Sequence, residues 1–342
     1  MTQYNDLYAR DNFSDTGVIP STGDLYQSPD IIPFQDKVLT WDQASSTYSG
    51  PDIAKAIING GINNIYVRAR NLNSVAGAGT VNLYYTDYSL NLCQTSKWVQ
   101  LQGAGKVKSL SFVDVSGKTS IAPTGIAISN PSFLLTGLPP NRHICMIGVV
   151  QTTAHPVIIP PSFASNADFS RWVQMNPAVA WRNISYSANV LTQLSRIMGF
   201  GNVNPNAADF VIIITGRGFV AGTPVEAQCT DATCPIDVTM PLPLPDSQGN
   251  QIISFVKSGI PANFWGELVL TATSKGGKFP SGATLTVSYY QIPAKSNALD
   301  NAVARRFVTA SGATADSAFT TAMLIKLGEC TITISDKPQQ AE

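Results

Sequence analysis

Along Asn63 to Asp87, "NNIYVRARNLNSVAGAGTVNLYYTD", apolar and polar positions alternate. Ile65, Val67 and Ala69 fall on one side of an extended chain and Tyr66, Arg68 and Arg70 on the other, the two-residue period of a half-buried strand. Beyond the turn-rich "NLNSVAGAG", Val81, Leu83 and Tyr85 repeat the period, so the stretch predicts two paired strands. Short apolar segments follow at "KWVQL", "SLSFVDV", "GIAIS", "SFLLTGL", "HICMIGVV" and "AWRNISYSA", separated by Gly, Pro, Asn and Ser. Many short strands with turn signals between them predict a β-sandwich.

Three segments break the pattern. "PDIAKAII" starts at Pro51, a favourable first-turn residue, and stops before Gly60 and Gly61, predicting a short helix. "ADFSRWVQMNP" predicts another, with Asp168 near its start and Pro177 ending it. In "ANVLTQLSRIMGFG", Val190, Leu194 and Ile197 stand at helical spacing before Gly199 and Gly201, and a domain junction is placed there. The remainder restarts with strands at "DFVIIITG", "TPVEAQC", "PIDVTM", "IISFVKS", "ELVLTATS", "TLTVSYYQ" and "CTITIS". Two helices, "SNALDNAVARRFV" and "TADSAFTTAMLIKL", are expected before the last strand.

At 342 residues the chain exceeds the usual span of one core. The expected division is an extended N-terminal arm over 1–27, a sandwich over 28–189, and a second β-rich domain with appended helices over 190–342. The fold class is mainly β, with two β-sandwich domains.

Charged residues make up only 13% of the chain, and the 22 Lys plus Arg balance the 22 Asp plus Glu without clustering. A nucleic-acid partner needs a basic stripe that releases counterions, so nucleic acid is excluded as the partner. The apolar runs, such as Phe210–Ile214, fall far short of the ~20 residues that span a bilayer. The opening "MTQYNDLYARDNFSDTG" is polar and acidic where a secretory signal would place a basic tip and an apolar run. Five cysteines occur, of which Cys229 and Cys234 flank "TDAT", a loop that a disulfide would close.

The series "SPDII", "NNIYVRARNLNSVAGAGTVNLYYTD", the Trp of "KWVQL", "GLPPNRHICMIGVV" and "AWRNISYS" resembles bacterial immunoglobulin-like modules of the CARDB type over about residues 28–189. The resemblance implies an immunoglobulin-like spacer or adhesion-like sandwich on an exported bacterial protein. More weakly, the chain resembles soluble accessory proteins encoded beside bacterial toxins, which leave cells without a standard signal peptide. An extracellular site reached by that route is therefore expected, with the cytoplasm as the alternative.

Motifs for turnover are not found. His143 and Cys145 form H-x-C on one strand face, and His155 precedes Pro156. A zinc set wants four ligands, so a packed cysteine and a hydrogen-bonded histidine are the reading for the first pair. A Cys145/His155 nucleophilic pairing has no local signature to support it. The glycines of "AGAGT" and "GRGFVAG" lack the spacing that cradles phosphate and read as turns. No catalytic residue, metal ligand or cofactor is expected. The contact residues expected are Tyr84, Tyr88, Arg68, Arg70 and Tyr290, facing a protein partner or, in the alternative, a glycan stacked on the tyrosines. An unrecognised hydrolase is the third reading, and a tail or capsid-like component, revealed by a symmetric oligomer, also fits the neutral surface.

Overall fold

The computed structural model describes residues 2–58, 60–138, 141–184, 192–292 and 324–334. The chain is mainly β and builds two antiparallel sandwiches. The first contains β1 (Thr2–Gln3), β2 (Leu7–Tyr8), β3 (Val18–Ile19), β4 (Ile31–Pro33), helix α1 (Trp41–Ser46), β5 (Ile62–Asn71) and β6 (Thr80–Thr86). It continues through β7 (Val99–Gln100), β8 (Gln102–Gly103), β9 (Ser109–Val113), β10 (Ile126–Asn130), β11 (Phe133–Thr136), β12 (Ile144–Gln151), helix α2 (Asn166–Gln174) and β13 (Val179–Ile184). The strand order is β13-β12-β6-β9-β10-β5-β11-β8.

β5 belongs to both layers of this sandwich. Its start, residues 62–65, pairs with β11, and its end, residues 68–70, pairs with β10. The sheet thereby folds over a core in which Ile65, Val67 and Ala69 meet Val81, Leu83, Phe112, Phe133 and Met146. The alternation along β5 is as expected, but its other face is not solvent. Tyr66 packs with Ile32, Phe34, Leu39, Ala44 and Ile128, because the chain between β4 and β5 lies across it as a roof. Thr40 and Gln43 cap the roof helix α1 reciprocally, satisfying its first amide donors. The helix expected from Pro51 is not formed; residues 51–58 are irregular.

Residues 2–33 are woven into this unit. Leu7 and Tyr8 of β2 pair with Asn71 and Arg70, and Tyr4, Leu7, Tyr8 and Ala9 join the core. The stretch reads as an arm because its Gly, Ser and Asp make turns; Asn12 and Asp15, for example, cap backbone amides of Ser14 and Gly17.

The second sandwich is built of β14 (Gln193–Gly201), β15 (Ala208–Arg217), β16 (Pro224–Cys229), β17 (Ile236–Pro241), β18 (Asn250–Ile260), β19 (Trp265–Thr273), β20 (Thr284–Gln291) and β21 (Ile325–Thr333). One sheet runs β14-β19-β16-β17 and the other β18-β15-β20-β21. The second and fifth strands thus pair in one layer and the third and sixth in the other, the interlocked plan of immunoglobulin-like sandwiches. Between the layers lie Met198, Phe200, Phe210, Ile212, Leu270, Leu285 and Tyr289.

β14 replaces the helix expected at the junction. Leu194, Met198 and Phe200 share the buried face with Arg196, so burial has period two although a charged residue interrupts the apolar pattern. Of the two helices expected late in the chain, "SNALDNAVARRFV" lies outside the described residues. So does most of "TADSAFTTAMLIKL", whose end, Ile325–Leu327, is part of β21.

All five cysteines are buried free thiols, so the bridge expected between Cys229 and Cys234 is not formed. Burial pushes the Cys93 and Cys145 thiols up to about 12 and that of Cys234 up to about 11, suppressing the reactive thiolate. A bulky thiol reagent at pH 8 is expected to label none of them until denaturant is added. The untreated and reduced proteins should also have the same mass. Rapid native labelling, or a mass difference on reduction, would contradict this picture.

Candidate binding site at the junction of the two units

The loop after β6 joins the two sandwiches. Leu90, fully buried, belongs to the core of the second unit although it is carried by the first. Its amide donates to the Gly199 carbonyl of β14, and the Gly199 amide donates to the Asp87 carbonyl. Two residues back along the same edge the pattern repeats: His143 N–H donates to Ile197 O, and Ile197 N–H to Asn141 O. The free edge of β14 is therefore paired with the first unit instead of with water. Arg142 adds ion pairs to Asp87 at 2.7 Å and to Glu267. Gly199 and Gly328 permit the close approach: a Cβ on Gly199 would stand 2.5 Å from the Tyr88 ring. One on Gly328 would stand 2.5 Å from Leu90 O.

Next to this joint lies a crevice of about 210 Å³. The first unit supplies Asp24, Tyr26, Asn166, Ser170, Trp181 and Asn183, and β21 supplies Lys326, Glu329 and Thr331. The Tyr26 ring meets that of Trp181 edge-on, with centroids 5.7 Å apart. Burial, and then the negative charges of Asp24 and Glu329, raise the Tyr26 hydroxyl above its ordinary value, so it stays a donor. Lys326 Nζ and Ser288 Oγ both donate to Glu329 Oε2, at 2.7 and 2.6 Å. Asn166 Oδ1 is buried without a hydrogen-bond partner among the described residues, while the Trp181 side chain is turned to the Cys145 thiol.

The expected contact residues are distributed differently. Arg68 is only 1% exposed and cannot meet a partner: its guanidinium binds Asp30 at 2.8 Å and the carbonyls of Ala44 and Pro29. The roof over β5 buries it, and Asp30 supplies the opposite charge that burial requires. Arg70 is half-buried, 5.7 Å from the Tyr48 ring. Tyr84 packs against Trp98, and Tyr88 meets Trp265 edge-on with Lys97 over both rings, at the joint. Tyr290 is buried with Val211, Ile292 and Leu324. The tyrosines therefore do not form one open stacking face. Sequence reasoning missed Tyr26, Asn166 and Asn183, whose only signal was a polar residue beside each apolar run.

His143 and Cys145 do meet, with Sγ 3.8 Å from Nε2, but the thiol lies 3.0 Å from Asn183 Oδ1 and donates there. Burial holds His143 down to about 3, so it is a neutral imidazole. Among the described residues no group of three or more His, Cys, Asp or Glu side chains could hold a metal ion. His155 stands apart, its Nδ1 2.9 Å from Asp6 and its ring against Tyr4, in a second cleft of about 420 Å³.

No family model matches the chain, and no curated protein matches it. Solved structures it is similar to include the Enterococcus faecalis MSCRAMM ACE, described as binding its ligands by the collagen hug model. That likeness has 10% identity over 92% of this chain and 98% of the other, with TM-score 0.23. Red sea bream transglutaminase is similar at 9% identity over 70% of this chain, with TM-score 0.21; the chain spans 28% of that enzyme's length. Arthrobacter globiformis isomalto-dextranase complexed with panose is similar at 12% identity over 69% of this chain and 35% of the other, with TM-score 0.20. Likenesses this distant carry no argument about what this chain does.

Proposed function

We propose that this chain is a non-enzymatic, adhesion-like or accessory protein, exported from a bacterial cell, that works by docking another protein. An exposed apolar strip at one end of the first sandwich supports this reading. Ile62, 56% exposed, begins β5, and Leu134, 38% exposed, stands on the neighbouring β11 opposite Asn64. The exposed Ile58 packs beside Gly61, and the Asn64 side chain ties in the turn that carries Val38, 74% exposed. Across the sheet, Gln102 of β8 pairs with Leu134, and the exposed Val107 closes the turn beyond it.

Single exposed apolar residues are ordinary, but a contiguous group rimmed by charge marks a contact surface. The rim carries Lys37, Lys106 and Lys108 against Asp36 in the same turns, a net positive charge, so the partner surface that fits is apolar at its centre and acidic around it. The double variant Ile62→Asp/Leu134→Asp tests the proposal. Its melting temperature should be close to wild type, since both side chains are at the surface. Its affinity for a partner captured by the wild-type chain should fall by about tenfold or more. Unchanged capture would sink the reading. A symmetric wild-type oligomer dispersed by the same variant would replace it with the structural-assembly reading.

A further inference from the structure

We propose that the crevice between the sandwiches is a saccharide site that takes the terminal residue of a neutral glycan. This goes beyond protein docking and uses a different surface, formed by α2, β13 and β21 instead of β5 and β11. Three observations carry it.

The first is size and wall chemistry. At about 210 Å³ the crevice is smaller than the roughly 300–1,000 Å³ typical of sites for drug-sized ligands, and suits one sugar ring. Tyr26, half-buried, offers an aromatic surface for the C–H side of a pyranose and a hydroxyl for its oxygens. Around it stand Asn166, Ser170, Asn183 and Thr331, neutral groups that donate or accept as sugar hydroxyls do.

The second is an orphan acceptor. Asn166 Oδ1 is buried with no hydrogen-bond partner among the described residues, and Asn166 lines the crevice. Leaving such a buried group unpaired costs about 1–3 kcal/mol, so it calls for a donor. A sugar hydroxyl supplies one. Asn183 already accepts from the Cys145 thiol, which leaves its NH₂ to donate to a ligand.

The third is charge. Lys326 is committed to Glu329, while Asp24 adds a further carboxylate, so the lining carries two negative groups against one positive. An acidic sugar is repelled there and a neutral one is not. The joint at Leu90 and Gly328 fixes the two halves before any ligand arrives, which lowers the ordering cost of binding.

Titration calorimetry of the full chain with the methyl glycosides of glucose, galactose, mannose and N-acetylglucosamine, and with sialic acid, tests this. At least one neutral glycoside is expected to bind with a Kd on the order of 1 mM, ordinary for one ring making a few hydrogen bonds. Tyr26→Ala and Asn166→Ala should each weaken it by about tenfold, and Ile62→Asp should leave it unchanged. Asn166 stands at the start of α2 after its Ser165 cap, so its truncation leaves the fold intact and keeps the test valid even if Tyr26→Ala is unstable. The proposal is overturned if no neutral glycoside binds, if binding survives Asn166→Ala, or if sialic acid binds equally well.

Discussion

Replacing Asp30 by asparagine or alanine is expected to cost the first sandwich about 3–5 kcal/mol, the usual penalty for removing one partner of a buried ion pair. Asp30 is fully buried and accepts from Arg10 Nε at 2.9 Å, Arg10 Nη2 at 2.7 Å and Arg68 Nε at 2.8 Å, as well as from the Arg10 amide. Arg10 also stacks on Tyr48, with Cζ 3.5 Å from the ring centroid, and donates to the Tyr48 carbonyl. Without Asp30 two guanidinium groups remain buried with no counter-charge. In a unit of this size the loss corresponds to a fall in Tm of roughly 10 °C. Asparagine preserves the shape, so an equally severe loss assigns the effect to charge; a loss below about 1 kcal/mol would refute the account.

The pH dependence of that difference has a definite sign. Burial alone would raise the Asp30 carboxyl, but the hydrogen bonds from Arg10 and the charges of Arg68 and Arg10 outweigh it and hold it below the ordinary value. A depressed acid contributes stability that is complete above its unfolded value and is lost as pH falls through the folded one. The advantage of wild type over Asp30→Asn should therefore be flat at neutral pH and shrink only in acid. Asp11 behaves oppositely: burial raises its carboxyl well above the ordinary value, and one oxygen has no partner. Its stabilising contribution is present below the unfolded value and lost as pH rises. Urea titrations of the two Asp→Asn variants across pH 3–8, run in parallel, separate these opposite slopes.

Much of the strand plan could be read directly because the alternation was local. "NNIYVRAR", "HICMIGVV" and "TLTVSYYQ" each encode a strand whose partners are other strands of the same kind, and β5, β12 and β20 stand there. Errors arose where a distant segment changed the meaning of a residue. Arg68 reads as an outward charge until residues 34–48 are laid over it and Asp30 is brought beneath, 38 positions away in the chain. Leu194 and Ile197 satisfy helical spacing, and only Arg196 turning inward and Gly199 pressing on Tyr88 reveal an extended strand docked along its edge. The crevice was illegible for the same reason: Asp24, Asn166, Asn183 and Glu329 come from four separated stretches, none with a motif of its own.

Gly328→Val is expected to uncouple the two sandwiches. Gly328 sits in the interior of β21, opposite Tyr289, at the point where the Leu90 segment crosses it. A Cβ there would stand 2.5 Å from the Leu90 carbonyl oxygen and 2.7 Å from its Cα. The obstacle is backbone, so no side-chain rotation relieves it, and shortening the Leu90 side chain cannot rescue the variant. Either the strand or the loop must move. If the loop moves, Leu90 leaves the core of the second unit, a loss of about 2–5 kcal/mol by analogy with truncating a buried leucine. Calorimetry should then show one thermal transition for wild type and two for the variant, because the hydrogen bonds from Leu90, Gly199, His143 and Ile197 are broken together. Fluorescence of Trp265, which packs on Tyr88 at 5.0 Å across the joint, should shift toward that of a solvated indole at temperatures where both sandwiches remain folded. Leu90→Ala should produce the same uncoupling with less severity, since the backbone pairing survives. A single transition and an unchanged Trp265 signal in Gly328→Val would mean that the two units are held by something other than this loop.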